Sequence, residues 1–261
     1  LMESRFRDAM ANNAFRFAFQ RVVDSQRYET CGAEALLRWF DDELGYVPPD
    51  QVVALAEELG FSDQLARVTV DSAFEFLERH GKDLPAGFKL AINFSAEQFS
   101  SSAVIDHIIA RFALFPKASP RIEVEITEST LLIDSRIAQK HIERLAHAGV
   151  DVGIDDFGTG YASLSYLQRY AIKFMKIDRS FTQMVEHADD HLPIIEVMID
   201  LAQKLGLRIT VEGIETAEQV AYFQRRGEMY LQGYYFGTPE TGEALLKATS
   251  HSSGGQVILN P

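Results

Sequence analysis

Residues 150–167 read VDVGIDDFGTGYASLSYL. An alternating apolar run ends in two adjacent aspartates and then breaks at glycines. Successive strand residues face opposite sides, so Asp155 and Asp156 point the same way only if the strand is ending there. Neighbouring like charges repel, which makes the pair costly unless something cationic sits between them. The run therefore reads as a strand that delivers carboxylates to its C-terminal end.

The same rhythm extends in both directions. Short β-rich runs occur at FRFAFQRVV (15–23), CGAEALLRW (31–39), FKLAINFS (88–95), IEVEIT (122–127), VDVGID (150–155), FMKID (174–178), LRITVEGI (207–214) and YLQGYYFG (230–237). Helical periodicity falls near 50–59, 62–80, 101–113, 135–148, 191–205 and 216–226. Eight strands mostly alternating with helices predict an α/β chain folded as a TIM-like (β/α)8 barrel. The first two strands are separated only by a linker containing DSQRYET, too short for a crossover helix. They should pair as an antiparallel hairpin, which makes the barrel irregular at its start. Residues 48–77 read as two amphipathic helices packed on the barrel, with Trp39 in the core. The domain is expected to span 1–247, followed by a polar tail, ATSHSSGGQVILNP (248–261).

Composition narrows the function. The 261 residues are 46% hydrophobic, enough for one large barrel, and carry a net charge of −13. That charge argues against polymeric nucleic acid and against membrane contact by this segment. A phosphate ligand would need the charge reversed locally by metal ions or a few arginines. Cys31 is the single cysteine, so an internal disulfide is excluded and a reducing, cytoplasmic setting is expected. No apolar stretch of about 18 residues or signal-peptide pattern occurs. The chain starts at Leu1, so the expectation is a piece of a longer protein, which elsewhere is free to be membrane-anchored.

In such a barrel, function gathers at the C-terminal strand ends. Asn93 follows FKLAI, Glu125 lies in IEVEIT, Asp155 ends VDVGI, and Lys176 lies in FMKID. Glu212, Gln232 and Glu34 lie in LRITVEG, YLQGYYF and GAEALLRW. Each alone reads equally well as a strand-end residue reaching solvent. Jointly that reading fails, because a carboxylate within an apolar strand costs several kcal/mol unless paired or metal-bound. Oxygen donors without a Cys or His cluster point to Mg2+ or Mn2+ rather than zinc. Asp155 would bridge two cations and Asp156 would bind the second. Two metals about 3.5–4 Å apart suit in-line hydrolysis of a phosphodiester. Other signals are weaker. HADDH (187–191) reads as a solvated loop and helix cap, and DFG (156–158) lacks the partner motifs of a kinase.

The motifs EALLRW (34–39), NFSAEQF (93–99), EITES (125–129), DDFGTGYASLSYL (155–167), KIDRSF (176–181), VEGIET (211–216) and QGYYF (232–236) occur in the order of a known family. Over about residues 15–245 the chain resembles an EAL domain, the cyclic di-GMP phosphodiesterase module of bacterial signalling proteins. The resemblance implies a first metal held by Glu34, Asn93, Glu125 and Asp155, and a second by Asp155, Asp156 and Glu212. Lys176 would orient or help activate the attacking water, with Gln232 in the adjoining solvent shell. Glu128 would brace the DFGTG loop, and Glu215 would support the site from behind. Arg38 matches a phosphate-contacting arginine, and Gln20 and Asp178 match guanine contacts. Leu36, Phe236 and Pro239 are also expected at the substrate. The implied reaction opens cyclic di-GMP to linear pGpG with two Mg2+ or Mn2+ per site, with Ca2+ inhibitory. A homodimer and fusion to upstream regulatory domains are implied as well. The alternatives are a catalytically silent cyclic di-GMP receptor and a barrel phosphodiesterase for another diester. Three departures touch the rim and guanine pocket: FQR (19–21), FGTPE (236–240) and GEMYL (227–231) stand where the family usually has Tyr-Gln-Pro, Ser-x-Pro and a cysteine. No metal ligand is missing.

Overall fold

The computed structural model describes residues 1–114, 122–133, 135–160 and 164–252. Nine strands are present among them: β1 (Arg16–Asp24), β2 (Thr30–Asp41), β3 (Gly45–Val47), β4 (Lys89–Phe94), β5 (Ile122–Thr127), β6 (Asp151–Phe157), β7 (Phe174–Ile177), β8 (Arg208–Val211) and β9 (Tyr230–Gln232). Eight of them, in the order β1-β9-β8-β7-β6-β5-β4-β2, close into a barrel through the β1–β2 pairing. The strands from β2 through β4–β9 run parallel, whereas β1 is antiparallel to both neighbours. The short β3 pairs only with the far end of β2.

The helices wrap this barrel: α1 (Met2–Ala11), α2 (Pro49–Leu59), α3 (Ser62–His80), α4 (Ala96–Ser100), α5 (Ser102–Leu114), α6 (Thr130–Ile133), α7 (Ser135–Ala148), α8 (Leu164–Arg169), α9 (Arg179–Thr182), α10 (Pro193–Leu205), α11 (Ala217–Gln224) and α12 (Gly242–Ser252). Leu65, Ala66, Thr69, Val70, Ala73 and Phe74 form the buried stripe of α3, the spacing that turns one helical face to a core. Left-handed Gly60 and Gly206 terminate α2 and α10.

Strand alternation sorts the chemistry. On β5, Ile122, Val124 and Ile126 join the main hydrophobic core, while Glu123 and Glu125 lie on the opposite face of the strand. Each fully buried apolar side chain contributes about 1.5–3 kcal/mol. Several per strand offset the several kcal/mol of placing a carboxylate inside. At the strand starts, Lys89 and Arg208 pair with Glu123 and Asp151 at 2.5–3.4 Å. Above this ionic floor Phe174 fills the barrel, and a Cβ on Gly153 would lie 2.2 Å from its ring. Cys31 donates to the carbonyl of Val22 at 3.4 Å. Burial pushes its thiol up to about 12, which disfavours the thiolate that a nucleophile needs.

Three differences from the sequence expectations have physical causes. The run 230–237 gives only a three-residue strand, because a Cβ on Gly233 would lie 2.1 Å from the Ile214 carbonyl oxygen and the chain turns there. β6 extends two residues past Asp155 with a register shift, and Asp156 adopts a left-handed φ of 54°. A bulge, not the end of the strand, therefore re-aims the second aspartate. Finally, α1 and β3 build a second cluster around Trp39, which is 1% exposed and packs edge-on to Phe6 at 5.9 Å. Helix α12 continues to Ser252, beyond the expected boundary at 247, and residues 253–261 of the expected tail lie outside the described residues. In HADDH, Asp190 accepts from the backbone N–H groups of Glu186 and His187, and His191 sits 2.9 Å from Glu196.

Candidate active site

The residues expected at the barrel mouth come from seven strands or strand ends. Lys176 of β7 is 1% exposed and stands at their centre. Its Nζ lies 3.1 Å from Glu34, 2.8 Å from Glu125, 3.3 Å from Asp155 and 2.8 Å from Glu212. Asn93 donates to Glu34 Oε1 at 2.5 Å, and Gln232 Nε2 donates to Glu34 Oε2 at 2.7 Å. The N–H of Asp156 donates to Asp155 Oδ1 at 2.9 Å.

One ammonium cannot neutralise this many carboxylates. Burial pushes Glu212 up to about 8, with Lys176 opposing and Asp155 and Glu34 adding to the rise. Asp156 is pushed up to about 6 by burial, then by Asp155 and Asp178. Glu125 lies well above the carboxylate range, again through burial, and only partly relieved by Lys176. For Glu34 burial is outweighed by Lys176, Gln232 and Asn93, which hold it low. Lys176 is held well above its ordinary value by the carboxylates despite burial.

The donor set fits divalent cations. Glu34, Glu125 and Asp155 bring carboxylate oxygens within 4.8 Å of one another, and so do Asp155, Asp156 and Glu212. Asp155 belongs to both groups. The buried Oε1 of Gln232 also has no hydrogen-bond partner among the described residues. Hard oxygen donors of this kind suit hard divalent cations such as Mg2+, Mn2+ or Ca2+.

Two cavities flank the centre. The larger, about 560 Å3, runs from Glu34, Asn93, Asp155 and Asp156 to Leu36 and across to α2. The smaller, about 170 Å3, is lined by Gln20, Arg179, Glu212, Glu215, Gln232 and Tyr234. Glu128, 4% exposed, accepts through Oε2 from the N–H groups of Gly158 and Gly160 at 3.2 and 3.3 Å. Residues 161–163 of that loop lie outside the described residues.

Other expected substrate residues stand apart from both cavities. Arg38 Nη1 donates to the Leu37 carbonyl at 2.8 Å. Asp178 is the N-cap of α9 and accepts from Ser180 N–H and Oγ. Phe236 is buried against Tyr235. Neither it nor Pro239 lines either cavity. Conversely, the sequence reading missed Asp50, Val53, Ala54 and Glu57 of α2, which line the large cavity. Their i, i+3, i+4, i+7 spacing marks one face of a helix. Glu57 accepts from Ser95 Oγ at 2.7 Å, two residues past Asn93.

Comparison with known proteins agrees with this geometry. Residues 3–239 match a family model described as EAL domain. "Bifunctional diguanylate cyclase/cyclic di-GMP phosphodiesterase MucR" of Pseudomonas aeruginosa is 33% identical over 247 residues, covering 94% of this chain and 36% of that protein. "Probable cyclic di-GMP phosphodiesterase PdeG" of Escherichia coli is 33% identical over 246 residues, covering 94% and 48%. A solved structure described as "PaMucR Phosphodiesterase, c-di-GMP complex" superposes with a TM-score of 0.86 at 32% identity, covering 94% of this chain and 100% of that one. The chain spans about a third to a half of the length of these two curated relatives. With its closed barrel, its carboxylate-ringed mouth and a family match over nearly its whole length, the chain belongs to the EAL domain family.

Proposed function

We propose that this chain hydrolyses cyclic di-GMP to linear pGpG at the carboxylate-lined mouth of its barrel. The observation that carries the reading is the pair of three-carboxylate groups sharing Asp155 beside a buried lysine. Glu34, Asn93, Glu125 and Asp155 would hold one divalent cation, and Asp155, Asp156 and Glu212 the other. Such cations supply charge neutralisation and water activation for in-line attack on phosphorus.

The chain's own groups do the rest. Lys176 orients the attacking water by donating to it, since the surrounding carboxylates favour its ammonium form. Gln232 offers an unpartnered Oε1 to the same water network. Glu128 holds Gly158 and Gly160 in place, so that Asp156 keeps its left-handed turn. The large cavity has the volume of a small-molecule site, with Leu36 on its wall. Gln20 lines the smaller one. Fusion to regulatory domains is supported by the fraction of each relative that the chain spans. A homodimer is part of the same reading and is checked by light scattering.

The test is turnover of cyclic di-GMP by the purified chain in Mn2+, with products resolved by chromatography. Linear pGpG is expected, and excess chelator should abolish it. Binding without turnover in Mn2+ would make the chain a receptor, and cleavage of other diesters alone would remove cyclic di-GMP as substrate.

A further inference from the structure

The geometry points to Arg179 as the side chain that holds the second, non-reacting phosphate of a two-phosphate substrate. The inference rests on the proposed function and adds a contact that the family motifs do not assign. Arg179 lines the 170 Å3 cavity together with Glu212 and Gln20. Its placement there depends on Gly213, which directly follows Glu212. A Cβ on Gly213 would lie 2.4 Å from Arg179 Cβ. The missing side chain therefore lets the arginine stem lie against the backbone beside a candidate metal ligand.

Charge gives this position its meaning. Glu34, Glu125, Asp155, Asp156 and Glu212 are five carboxylates, which Lys176 and two divalent cations would leave neutral. A cyclic dinucleotide brings two phosphodiester charges. The reacting phosphate would lie over the cations, while the other has no counter-charge from the centre. Arg179 makes no ion pair among the described residues, although Glu212 and Glu215 line the same cavity. The neighbouring Asp178 spends its Oδ1 on Ser180. Arg38, the arginine expected from the motif, lines neither cavity and donates to a backbone carbonyl. A guanidinium suits the task because its planar donors match phosphate oxygens in pairs.

The experiment compares wild type, Arg179→Ala and Arg179→Lys on two substrates in Mn2+. One is cyclic di-GMP, and the other is bis(p-nitrophenyl) phosphate, a diester with a single phosphate. Arg179→Ala should raise KM for cyclic di-GMP about tenfold with a smaller change in kcat, the scale of one hydrogen-bonded charged contact. The ratio of kcat/KM for the dinucleotide to that for the nitrophenyl ester should fall by the same factor. The ionic-strength dependence of kcat/KM for cyclic di-GMP should weaken, and Arg179→Lys should recover part of the loss. An unchanged KM for cyclic di-GMP, or an equal fall on both esters, would overturn the assignment. Wild-type protein that cleaves the nitrophenyl ester but leaves cyclic di-GMP intact would instead remove the proposed function, and this subsite with it.

Discussion

Replacing Lys176 by methionine keeps most of the aliphatic stem and removes the charge on which the metal-free site depends. Among the described residues, the ion pairs of Glu34, Glu125, Asp155 and Glu212 all run to this one ammonium. Removing one partner of a buried ion pair typically costs about 3–5 kcal/mol, because the remaining charges lose their compensation. For a domain of this size each kcal/mol corresponds to about 2–4 °C, so Lys176→Met should melt roughly 6–20 °C below wild type in chelator. The carboxylates can escape by taking up protons, so the deficit should grow as pH rises. Mn2+ restores positive charge to the same oxygens and should recover much of the melting temperature. Turnover should still fall by about 10²-fold or more, the scale of a lost water-positioning or proton-transfer group. Thermal melts with and without Mn2+ and steady-state rates on cyclic di-GMP check both halves. Equal melting temperatures in chelator, or a rate within a few-fold of wild type, would refute the role given to Lys176.

Three further outcomes follow from the same geometry. Glu128→Ala leaves the N–H groups of Gly158 and Gly160 without their carboxylate, and because both glycines are exposed to water the loss should be about 0.5–1.5 kcal/mol. Turnover should fall and limited proteolysis should cut nearer the loop, whereas unchanged rate and cleavage would dismiss the brace. Ca2+ takes oxygen ligands at about 2.3–2.6 Å in loose geometry, against about 2.0–2.1 Å for Mg2+. It should therefore support binding of cyclic di-GMP without turnover and inhibit the Mg2+ enzyme, so full-rate hydrolysis in Ca2+ would contradict the two-metal reading. The metal-free protein should lose stability as pH rises through about 6 and then about 8, where Asp156 and Glu212 ionise. Their folded values are raised, so the stabilising form is the protonated one and disappears on the alkaline side. The rise in melting temperature on adding Mn2+ should thus be larger near pH 8.5 than near pH 5.5, about 1.5 units either side of the midpoint of these transitions, and calorimetry at the two values decides it.

Particular residues show how much of this was legible in the sequence. The spans 62–80, 122–127 and 135–148 coincide with α3, β5 and α7, because each carries a strong apolar period on one face. The short linker at 24–30 sufficed for the antiparallel β1–β2 pair. Asp156 shows the limit: alternation cannot reveal a left-handed residue that bends a strand without ending it. The early stop of β9 depends on the contact between Gly233 and Ile214, which are close only in the folded chain. Helix α1 has just Phe6 and Ala9 buried, too few to mark a periodic face. In the site, polar residues on strands were visible because apolar neighbours set them off. Asp50 and Glu57 were not, because a polar helix face ordinarily meets water. Arg179 received no reading from the sequence, because only the absent side chain of Gly213 shows where its stem lies.

The sharing of Asp155 between two cation sites is the centre of the account, and a paired titration of Mn2+ tests it most directly. Mn2+ bound per chain is measured by calorimetry while turnover of cyclic di-GMP is followed at the same free-metal concentrations. Wild type should bind about two Mn2+ per chain, as a two-metal phosphodiesterase requires, with turnover appearing only as the second site fills. Asp155→Asn should weaken both binding events together and depress turnover under every metal. Full turnover with a single Mn2+ bound, or an Asp155→Asn protein that loses one site and keeps the other intact, would contradict the shared aspartate.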